Sequence, residues 1–299
     1  MADSEISTPL PPMVDATALR EIDSGVWMIA DRRVPLVPNI GIVVGDHSVL
    51  VIDTGMGSAN GARVLDVARK LADGRKLYLT ITHFHPEHGY GAEPFKGVAE
   101  ILYNAAQGEE LAAKGEGYLG MFKGMGPDVA AALADTRLVA ADTLYEGGEH
   151  TLDLGGKKVV LKTWGRAHTR ADQIVFLPEQ RILFTGDLAE EKTFPIFPWF
   201  PPEDVDIDAG NWVHALDECL AMQPALVVPG HGDVGGAEIL SDVRDYILDV
   251  GNRVSKAGDA SADEMVADIG PQVRAAHPDW HFPEWIDFAI RYFAAQSKR

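Results

Sequence analysis

The sequence contains a single cysteine among its 299 residues, Cys219. One cysteine cannot form a disulfide within the chain, and it excludes a zinc site built from several thiolates. Cys219 lies in the segment 212–220, where apolar residues recur at helical spacing, so we expect it to pack in a core. A metal site with several protein ligands would therefore use histidine and carboxylate groups.

Basic residues are also scarce. The chain has 26 Lys and Arg against 45 Asp and Glu, a formal net charge of -19 at pH 7. Nucleic-acid-binding proteins need basic patches that neutralise phosphates, and none is apparent here. The same charge opposes binding to an anionic membrane surface. We therefore expect a small-molecule substrate as the partner, with no nucleic acid and no membrane; the oligomeric state stays open.

Long apolar runs are absent as well. No apolar segment approaches the roughly 20 residues that a transmembrane helix needs. The first five residues are Met-Ala-Asp-Ser-Glu, which lack the charged-then-apolar pattern of a secretory signal. These features predict a cytoplasmic protein. The hydrophobic content of 46% is enough for one large domain with a substantial core.

Candidate metal ligands, by contrast, are concentrated in one segment. His83-Phe84-His85-Pro86-Glu87-His88 lies at the end of the apolar stretch 77–81. If that stretch is a strand, its last residues enter a turn where alternate side chains can converge. Imidazole and carboxylate are the usual ligands of zinc or iron in hydrolytic or oxygen chemistry. The segment therefore predicts a metal site, whereas a merely polar, His-rich loop is the simpler alternative.

Three further candidate ligands each follow an apolar segment that resembles a strand: His168, Asp187 and His231. Glycines beside Asp187 and His231 allow the tight turns that would point both side chains at one centre. A single His or Gly-Asp pair would indicate little, since such residues are common in turns. The combination in this order indicates one shared metal centre.

The chain resembles the metallo-beta-lactamase-fold hydrolases, a superfamily that includes glyoxalase II-like and lactonase-like enzymes. The matching segments are 49–55, 82–89, 165–169, 184–187 and 229–232. The resemblance covers about residues 26–254 and implies an α/β fold, a four-layer αββα sandwich of two mixed sheets flanked by helices. It also implies a dinuclear zinc site at one edge between the sheets. His83, His85 and His168 would hold one ion, and His88 and His231 a second, with Asp187 bridging.

One residue departs from the family pattern. Glu87 stands where the family usually has an Asp that binds the second metal and orients the attacking water. Glu87 is one methylene longer than Asp and follows Pro86, whose fixed φ restricts the turn. Its side chain could therefore bind the ion, extend past it, or act as a base near it. We therefore expect one or two zinc ions, with iron or manganese as alternatives. Glu87 and Asp187 are the candidate catalytic groups, because a carboxylate beside the metal can orient water and accept its proton.

The order of the segments predicts one domain with three additions: an N-terminal arm at 1–20, a helical insertion at about 104–135 within the domain 21–258, and a helical extension at 259–299. The Ala- and Gly-rich insertion is expected to form short helices with flexible joints. It would act either as a lid or as a surface subdomain.

The aromatic and proline-rich segment 193–202 begins six residues after Asp187 and predicts a stiff, apolar wall for the substrate. Packing beneath a helix is the equal alternative. Tyr90 is a candidate hydrogen-bond donor to an oxyanion, although a structural tyrosine is the simpler interpretation. The candidate substrate residues are Tyr90, Phe194, Phe197, Trp199 and Phe200.

These features predict a metal-dependent hydrolase that acts on an ester, lactone or related acyl bond of a small molecule with an apolar substituent. Fold alone does not fix the substrate. Two other functions stay open: a mononuclear iron dioxygenase acting on a thiol or persulfide, and a non-catalytic ligand binder that contains metal.

Overall fold

Two mixed β-sheets lie face to face in the computed structural model, which describes residues 10–198 and 205–297. The first sheet has seven strands in chain order: β1 (Leu19–Asp23), β2 (Val26–Ile29), β3 (Ile40–Val44), β4 (Ser48–Ile52), β5 (Lys76–Thr80), β6 (Glu100–Asn104) and β7 (Thr143–Tyr145). Strands β1 to β4 pair antiparallel, and β4 to β7 pair parallel.

The second sheet contains five strands: β8 (Glu149–Asp153), β9 (Lys158–Thr163), β10 (Gln173–Leu177), β11 (Ile182–Phe184) and β12 (Leu226–Val228). Their spatial order is β12-β11-β10-β9-β8, and the β11–β12 pair is parallel. Because parallel neighbours end at the same edge, the residues after β11 and β12 emerge side by side.

Eight α-helices accompany the sheets: α1 (Gly57–Ala72), α2 (Pro86–Gly89), α3 (Ala105–Lys123), α4 (Pro127–Ala132), α5 (Ala209–Ala221), α6 (Glu238–Ala257), α7 (Ala262–Ala276) and α8 (Ile286–Gln296), counted over the described residues. A 3-10 turn at Pro283–Trp285 precedes α8. None of these helices is both long and apolar enough to cross a bilayer.

The β-branched strands β3 and β4 build the core because they are buried on both faces. Ile42 and Val51 point toward α1, in a cluster with Val64. Their neighbours Val43 and Leu50 lie in the cluster between the two sheets. This alternation of period two, with both faces covered, produces the four layers. The predicted fold class is confirmed.

On the outer face of the second sheet, α5 and α6 pack through large apolar residues. Trp212 and Val243 belong to a cluster that also contains Leu183 and Val227 of the sheet. Each such fully buried side chain stabilises the fold by about 1.5–3 kcal/mol relative to exposure. The C-terminal helices α7 and α8 extend this cluster through buried residues such as Ile269 and Ile290.

The expected N-terminal arm differs from the structure. Val14 is 1% exposed, and strand β1 begins at Leu19, within the segment assigned to the arm. The Asn60 side chain accepts a hydrogen bond from Val14 N at 2.8 Å and donates one to Pro12 O at 2.8 Å. From Pro12 onward the chain is therefore fixed on α1, a contact that a proline-rich composition did not indicate.

The helical insertion also differs in detail. Instead of short helices with joints, α3 is continuous over 19 residues despite its glycines. A capping box between Asn104 and Gln107 starts the helix, and Tyr118 and Phe122 bury one face. Gly115 allows close packing here, because a Cβ at this position would lie 2.6 Å from Leu138 Cδ1 and would displace that side chain.

Candidate metal centre

Three histidines form a first group of candidate ligands. His83 and His85 follow β5, and His168 lies in the loop between β9 and β10. One nitrogen of each lies within 4.8 Å of the others. The ring centroids are separated by 4.6 Å for His83–His85, 5.3 Å for His83–His168 and 5.0 Å for His85–His168. All three side chains are buried, so the structure brings the three predicted ligands of the first ion together.

A second group lies beside the first and contains Glu87, His88, Asp187 and His231, whose ligand atoms also lie within 4.8 Å of one another. Helix α2 carries Glu87 and His88 in a single turn that begins at Pro86. Asp187 and His231 follow β11 and β12, the parallel pair, and therefore emerge side by side. Glu87 thus lies with the second group despite its extra methylene.

Asp187 reaches both groups. Its Oδ1 lies 3.2 Å from His88 Nε2 and 3.8 Å from His231 Nε2, and its Oδ2 lies 3.7 Å from His83 Nε2. Gly230 is required beside it, because a side chain at that position would collide with the Asp187 carboxylate. This explains the glycine before His231.

Several buried atoms in the two groups have no hydrogen-bond partner among the described residues. They include His83 Nε2, His88 Nε2, His168 Nε2 and Glu87 Oε2. An unsatisfied buried polar atom costs about 1–3 kcal/mol, so four in one place require an explanation. A bound cation supplies one, because it uses the lone pairs that water and protein do not reach. Imidazole nitrogens with carboxylate oxygens fit one or two divalent ions such as zinc, iron or manganese.

Asp53 supports the second group from the sheet below. Its Oδ2 lies 2.9 Å from His88 Nδ1 and accepts a hydrogen bond from Thr82 Oγ1 at 2.9 Å, while Oδ1 accepts one from Thr82 N at 2.7 Å. A carboxylate on Nδ1 holds the proton there and leaves the His88 Nε2 lone pair for a metal. The segment 49–55 pointed to a supporting turn, but not to this bond.

Electrostatics keep most of the imidazoles neutral, the form that binds metal. Burial, with the neighbouring histidines, lowers the pKa of His83 and His85 well below the usual range and that of His168 to about 4. Burial also lowers the pKa of His88, but Asp187 and Asp53 outweigh it and raise the pKa well above its usual value.

The pKa values of the two carboxylates in the second group are shifted in opposite directions. Burial raises the pKa of Glu87 to about 7. For Asp187 burial acts in the same direction, but His88 and His231 outweigh it and hold the pKa well below its usual value. A divalent cation would compensate the buried negative charge of both residues.

A cavity of about 330 Å³ opens beside the two groups. His85, Glu87, Asp187 and His231 lie on its wall. Most of the remaining wall is apolar, and it comes from four separate segments: the loop before β3, helix α3 with the turn after it, the segment 193–198, and the residues before α8. The apolar lining residues are Val34, Pro35, Leu36, Tyr118, Phe122, Met125, Ile196, Phe282 and Trp285.

Two buried acids at the cavity carried no recognisable sequence signal. Glu190 is 8% exposed, and burial with the nearby Asp187 raises its pKa well above the usual range. Asp31 accepts a hydrogen bond from Gly232 N at 2.8 Å and so fastens the loop before β3 to the His231 turn. Glu190 lies three residues after Asp187 in the sequence, whereas Asp31 comes beside His231 only through the fold.

The predicted aromatic wall is corrected at two positions. Phe194 and Phe197 are fully buried, and neither lines the cavity. Phe194 packs against Tyr246 and Trp280, and Phe197 packs against Trp212. Ile196, between them, faces the cavity instead. Trp199 and Phe200 lie outside the described residues.

Tyr90 does not face the cavity either. It is 1% exposed, and its hydroxyl donates a hydrogen bond to the Gly115 carbonyl at 3.0 Å. This bond joins the segment after α2 to helix α3, so the structure gives Tyr90 a packing role. It is not positioned to donate to an oxyanion.

Residues 33–231 match the sequence model of the Metallo-beta-lactamase superfamily, which covers more than half of the chain and contains every candidate ligand. The chain belongs to this superfamily. The resemblance stated from the motifs is therefore confirmed, and with it the expectation of a metal-binding hydrolase fold.

Curated superfamily members are similar to this chain at about a quarter identity. A linear primary-alkylsulfatase of Pseudomonas sp. (strain ATCC 19151) is 25% identical over 232 residues, 68% of this chain and 43% of the relative. The chain thus spans less than half the length of that protein. The metallo-beta-lactamase type 2 of Bacteroides fragilis is 26% identical, over 71% of this chain and 76% of its own. The acyl-coenzyme A thioesterase MBLAC2 of Bos taurus is 25% identical, over 81% of this chain and 88% of its own.

Solved structures share the superfamily fold. The sec-alkylsulfatase Pisa1 from Pseudomonas sp. superposes with a TM-score of 0.71 at 17% identity, covering 93% of this chain and 50% of that one. A metallo-beta-lactamase from Pontibacter korlensis gives a TM-score of 0.59 at 19% identity, covering 76% and 98%. These likenesses establish the fold and leave the substrate to be argued from the cavity.

Proposed function

We propose that this protein is a metal-dependent hydrolase that cleaves an ester, lactone or related acyl bond in an uncharged small molecule with an apolar substituent. Superfamily membership supports the hydrolase part, since the relatives include a sulfatase, a thioesterase and beta-lactamases. One observation carries the substrate part: both candidate ligand groups border a single, mostly apolar cavity.

Each candidate site residue has a role in metal binding or in proton transfer. His83, His85 and His168 would hold one zinc ion, and Glu87, His88 and His231 a second, with Asp187 near both. When bound, such a cation lowers the pKa of its water ligand to about 7 and polarises an acyl carbonyl. Asp187 and Glu87 lie on the cavity wall, where a carboxylate orients the attacking water and accepts its proton.

The charges of the cavity favour an uncharged substrate. Arg33 is the one Lys or Arg among its described lining residues, and it is already paired with Glu191 and with Asp233 at 3.1 Å. Four carboxylates also line the cavity: Asp31, Glu87, Asp187 and Glu190. Away from the candidate ligands, the described wall therefore offers an anionic group no unpaired lysine or arginine, and the Asp31 carboxylate opposes such a group.

The second ligand group argues against the mononuclear dioxygenase. A single iron would use the first group, yet Glu87, His88, Asp187 and His231 are also assembled within 4.8 Å. Burying the Glu87 and Asp187 carboxylates costs free energy, which a second cation would offset. A hydrolase with two cations therefore accounts for more of the site.

Elemental analysis and a substrate panel test the proposal. Protein purified without added metal is analysed, reconstituted with zinc, and assayed on neutral p-nitrophenyl esters and alkyl lactones. A long-chain alkyl sulfate and an acyl-coenzyme A, the substrate classes in two relatives' names, serve as anionic comparisons. We expect turnover of the neutral acyl compounds, and loss of that turnover in His168→Ala.

Two results would contradict the proposal. About one iron per chain with oxygen uptake on thiols would support the dioxygenase. Metal binding without turnover across the whole panel would support a ligand binder. A preference for the anionic substrates would still indicate a hydrolase, but it would contradict the proposal that the substrate is uncharged.

A further inference from the structure

We propose that Phe282 and Trp285, at the start of the C-terminal helix α8, form an acyl-chain clamp that sets the chain-length selectivity of the hydrolase. The two residues lie about 50 positions beyond the last candidate ligand, His231, yet they line the same cavity. The proposal deepens the proposed function and rests on it. It assigns a substrate-binding role to the C-terminal segment, which lies outside the superfamily match at 33–231.

Main-chain hydrogen bonds fix this segment beside the ligand turn. His281 N donates to Lys192 O at 2.8 Å, and Phe194 N donates to His281 O at 3.2 Å. These bonds form a short parallel bridge only a few residues after Asp187. Because the main chain makes them, a change of side chain at position 282 leaves the attachment in place.

Trp280, the neighbouring aromatic residue, differs from Phe282 in its packing. Trp280 lies 5.2 Å from Phe194 and 5.9 Å from Tyr246, ring to ring, so it anchors the segment in the core. Phe282 remains 37% exposed. Its ring stacks on Trp285 with a centroid distance of 4.5 Å and an angle of 13°. Trp285 also packs partly against the core cluster that contains Trp212, whereas Phe282 is not part of that cluster. The pair thus presents a flat apolar surface to the cavity from a base that the core holds in place.

The backbone of Phe282 is held in an unfavourable conformation. Its φ of 58° and ψ of 52° lie in the left-handed region, which aromatic residues rarely adopt. Glycine would adopt it without strain. Nine described non-glycine residues have a positive φ, so this strain alone does not mark a function. Phe282 combines it with partial exposure on the cavity wall, and this combination supports a role for the ring.

The other apolar segments complete the subsite. Phe122 and Met125 line the cavity from α3 and the turn after it, and Leu36 from the loop before β3. Met125 is 46% exposed, and its flexible side chain can adapt to acyl chains of different shape. Each methylene that this surface removes from water is worth about a fourfold increase in kcat/KM.

The test is a chain-length series of p-nitrophenyl acetate, butyrate, hexanoate and octanoate, assayed with zinc-loaded enzyme. For the unmodified protein kcat/KM is expected to rise with each added pair of methylenes. In Phe282→Gly and Trp285→Ala we expect at least a 10-fold loss on octanoate, mainly through KM, and a change below about threefold on acetate. Phe282→Leu, which keeps an apolar side chain, should retain most of the octanoate activity.

A matched control and a stability measurement separate binding from folding. Leu248→Ala removes an apolar side chain of similar exposure, 44%, from α6, away from the cavity; it should leave the chain-length series unchanged. Phe282→Gly relieves the left-handed strain, so its melting temperature should equal or exceed that of the unmodified protein. Equal losses on acetate and octanoate, with a lower melting temperature, would identify a structural residue and overturn the clamp.

If no ester is cleaved, the proposed function is refuted, but the clamp can still be tested by a second measurement. Binding of Nile red, an uncharged apolar dye, is followed by fluorescence, with displacement by 1-octanol. We expect affinity at least 10-fold weaker in Phe282→Gly/Trp285→Ala than in the unmodified protein. Equal affinity in the two proteins would overturn the clamp regardless of catalysis.

Discussion

His88 is oriented by a carboxylate outside both ligand groups. Asp53 lies 2.9 Å from His88 Nδ1 and also accepts two hydrogen bonds from Thr82, the residue that precedes the ligand segment. The backbone of Asp53 has a φ of 67°, so even its own conformation is held by these partners. One residue thus sets both the tautomer of a candidate ligand and the start of the turn that carries it.

Asp53→Asn is expected to weaken metal binding. The neutral amide cannot hold the Nδ1 proton of His88 as a carboxylate does, and loss of such a partner typically reduces metal affinity 10–100-fold. Zinc competition against a chromophoric chelator measures the change, with Asp263→Asn, an exposed surface acid, as the control. Unchanged affinity in Asp53→Asn would show that the turn alone orients His88.

Glu87 is the residue at which this chain departs from its family. It is 7% exposed, and its Oε2 has no hydrogen-bond partner among the described residues. Glu87→Gln keeps the shape and removes the charge, so we expect it to lower the bound zinc by about one ion per chain. Elemental analysis after dialysis measures this. An unchanged zinc content would mean that Glu87 lies near the second ion without binding it.

Helix α3 is joined to the loop that carries His168 by a buried ion network. Glu110, whose side chain is 1% exposed, accepts hydrogen bonds from Lys114 at 2.8 Å and from Arg170 N at 3.3 Å. Lys114 also pairs with Asp206 at 2.6 Å. The insertion is therefore fastened to the site by charge as well as by the stacking of Tyr118 on His85.

Lys114→Met is expected to lower the free energy of unfolding by about 3 kcal/mol, because it leaves the Glu110 carboxylate buried without its cation. Urea denaturation measures the loss. Lys76→Met, at an exposed pair with Glu100, should cost less than about 1 kcal/mol. Adding Glu110→Gln to Lys114→Met should recover part of the loss; a double variant with fully additive losses would contradict this account.

The elements differ in how far the sequence could predict them. Strands β3, β4 and β10 are almost wholly buried, and each contains two to four β-branched residues, so their pattern favours a strand. The edge strand β1 reads Leu-Arg-Glu-Ile-Asp, and its mixed polarity is equally typical of a loop. This segment is a strand because it pairs with β2, and a local sequence pattern does not contain that information.

The same distinction holds within the candidate site. The ligand motifs are local, and each lies where a strand ends, so their convergence could be inferred from the chain order. The side of segment 193–198 that faces the cavity could not be inferred from the sequence, because Phe194, Ile196 and Phe197 are all apolar. Phe282 was also missed, since it reaches the site only through the distant main-chain bridge to residue 193.

At the scale of the whole molecule, the candidate metal centre joins the two sheets. The first sheet supplies His83, His85 and His88 from the segment after β5. The second sheet supplies His168, Asp187 and His231. A cation bound between them would therefore connect the two halves of the core, in a chain whose net charge of -19 otherwise opposes compaction.

Metal removal is therefore expected to destabilise the entire fold. A ligand at a thousand times its dissociation constant stabilises the native state by about 4 kcal/mol, which corresponds to roughly 8–16 °C in melting temperature for a domain of 150–250 residues. Scanning calorimetry with zinc and after treatment with a chelator measures the difference. In His83→Ala/His168→Ala the response to zinc should shrink, because the first ligand group is lost. If the chelator leaves the melting temperature of the unmodified protein unchanged, the buried imidazoles and carboxylates must be stable without a cation, and the metal centre would lose its physical basis.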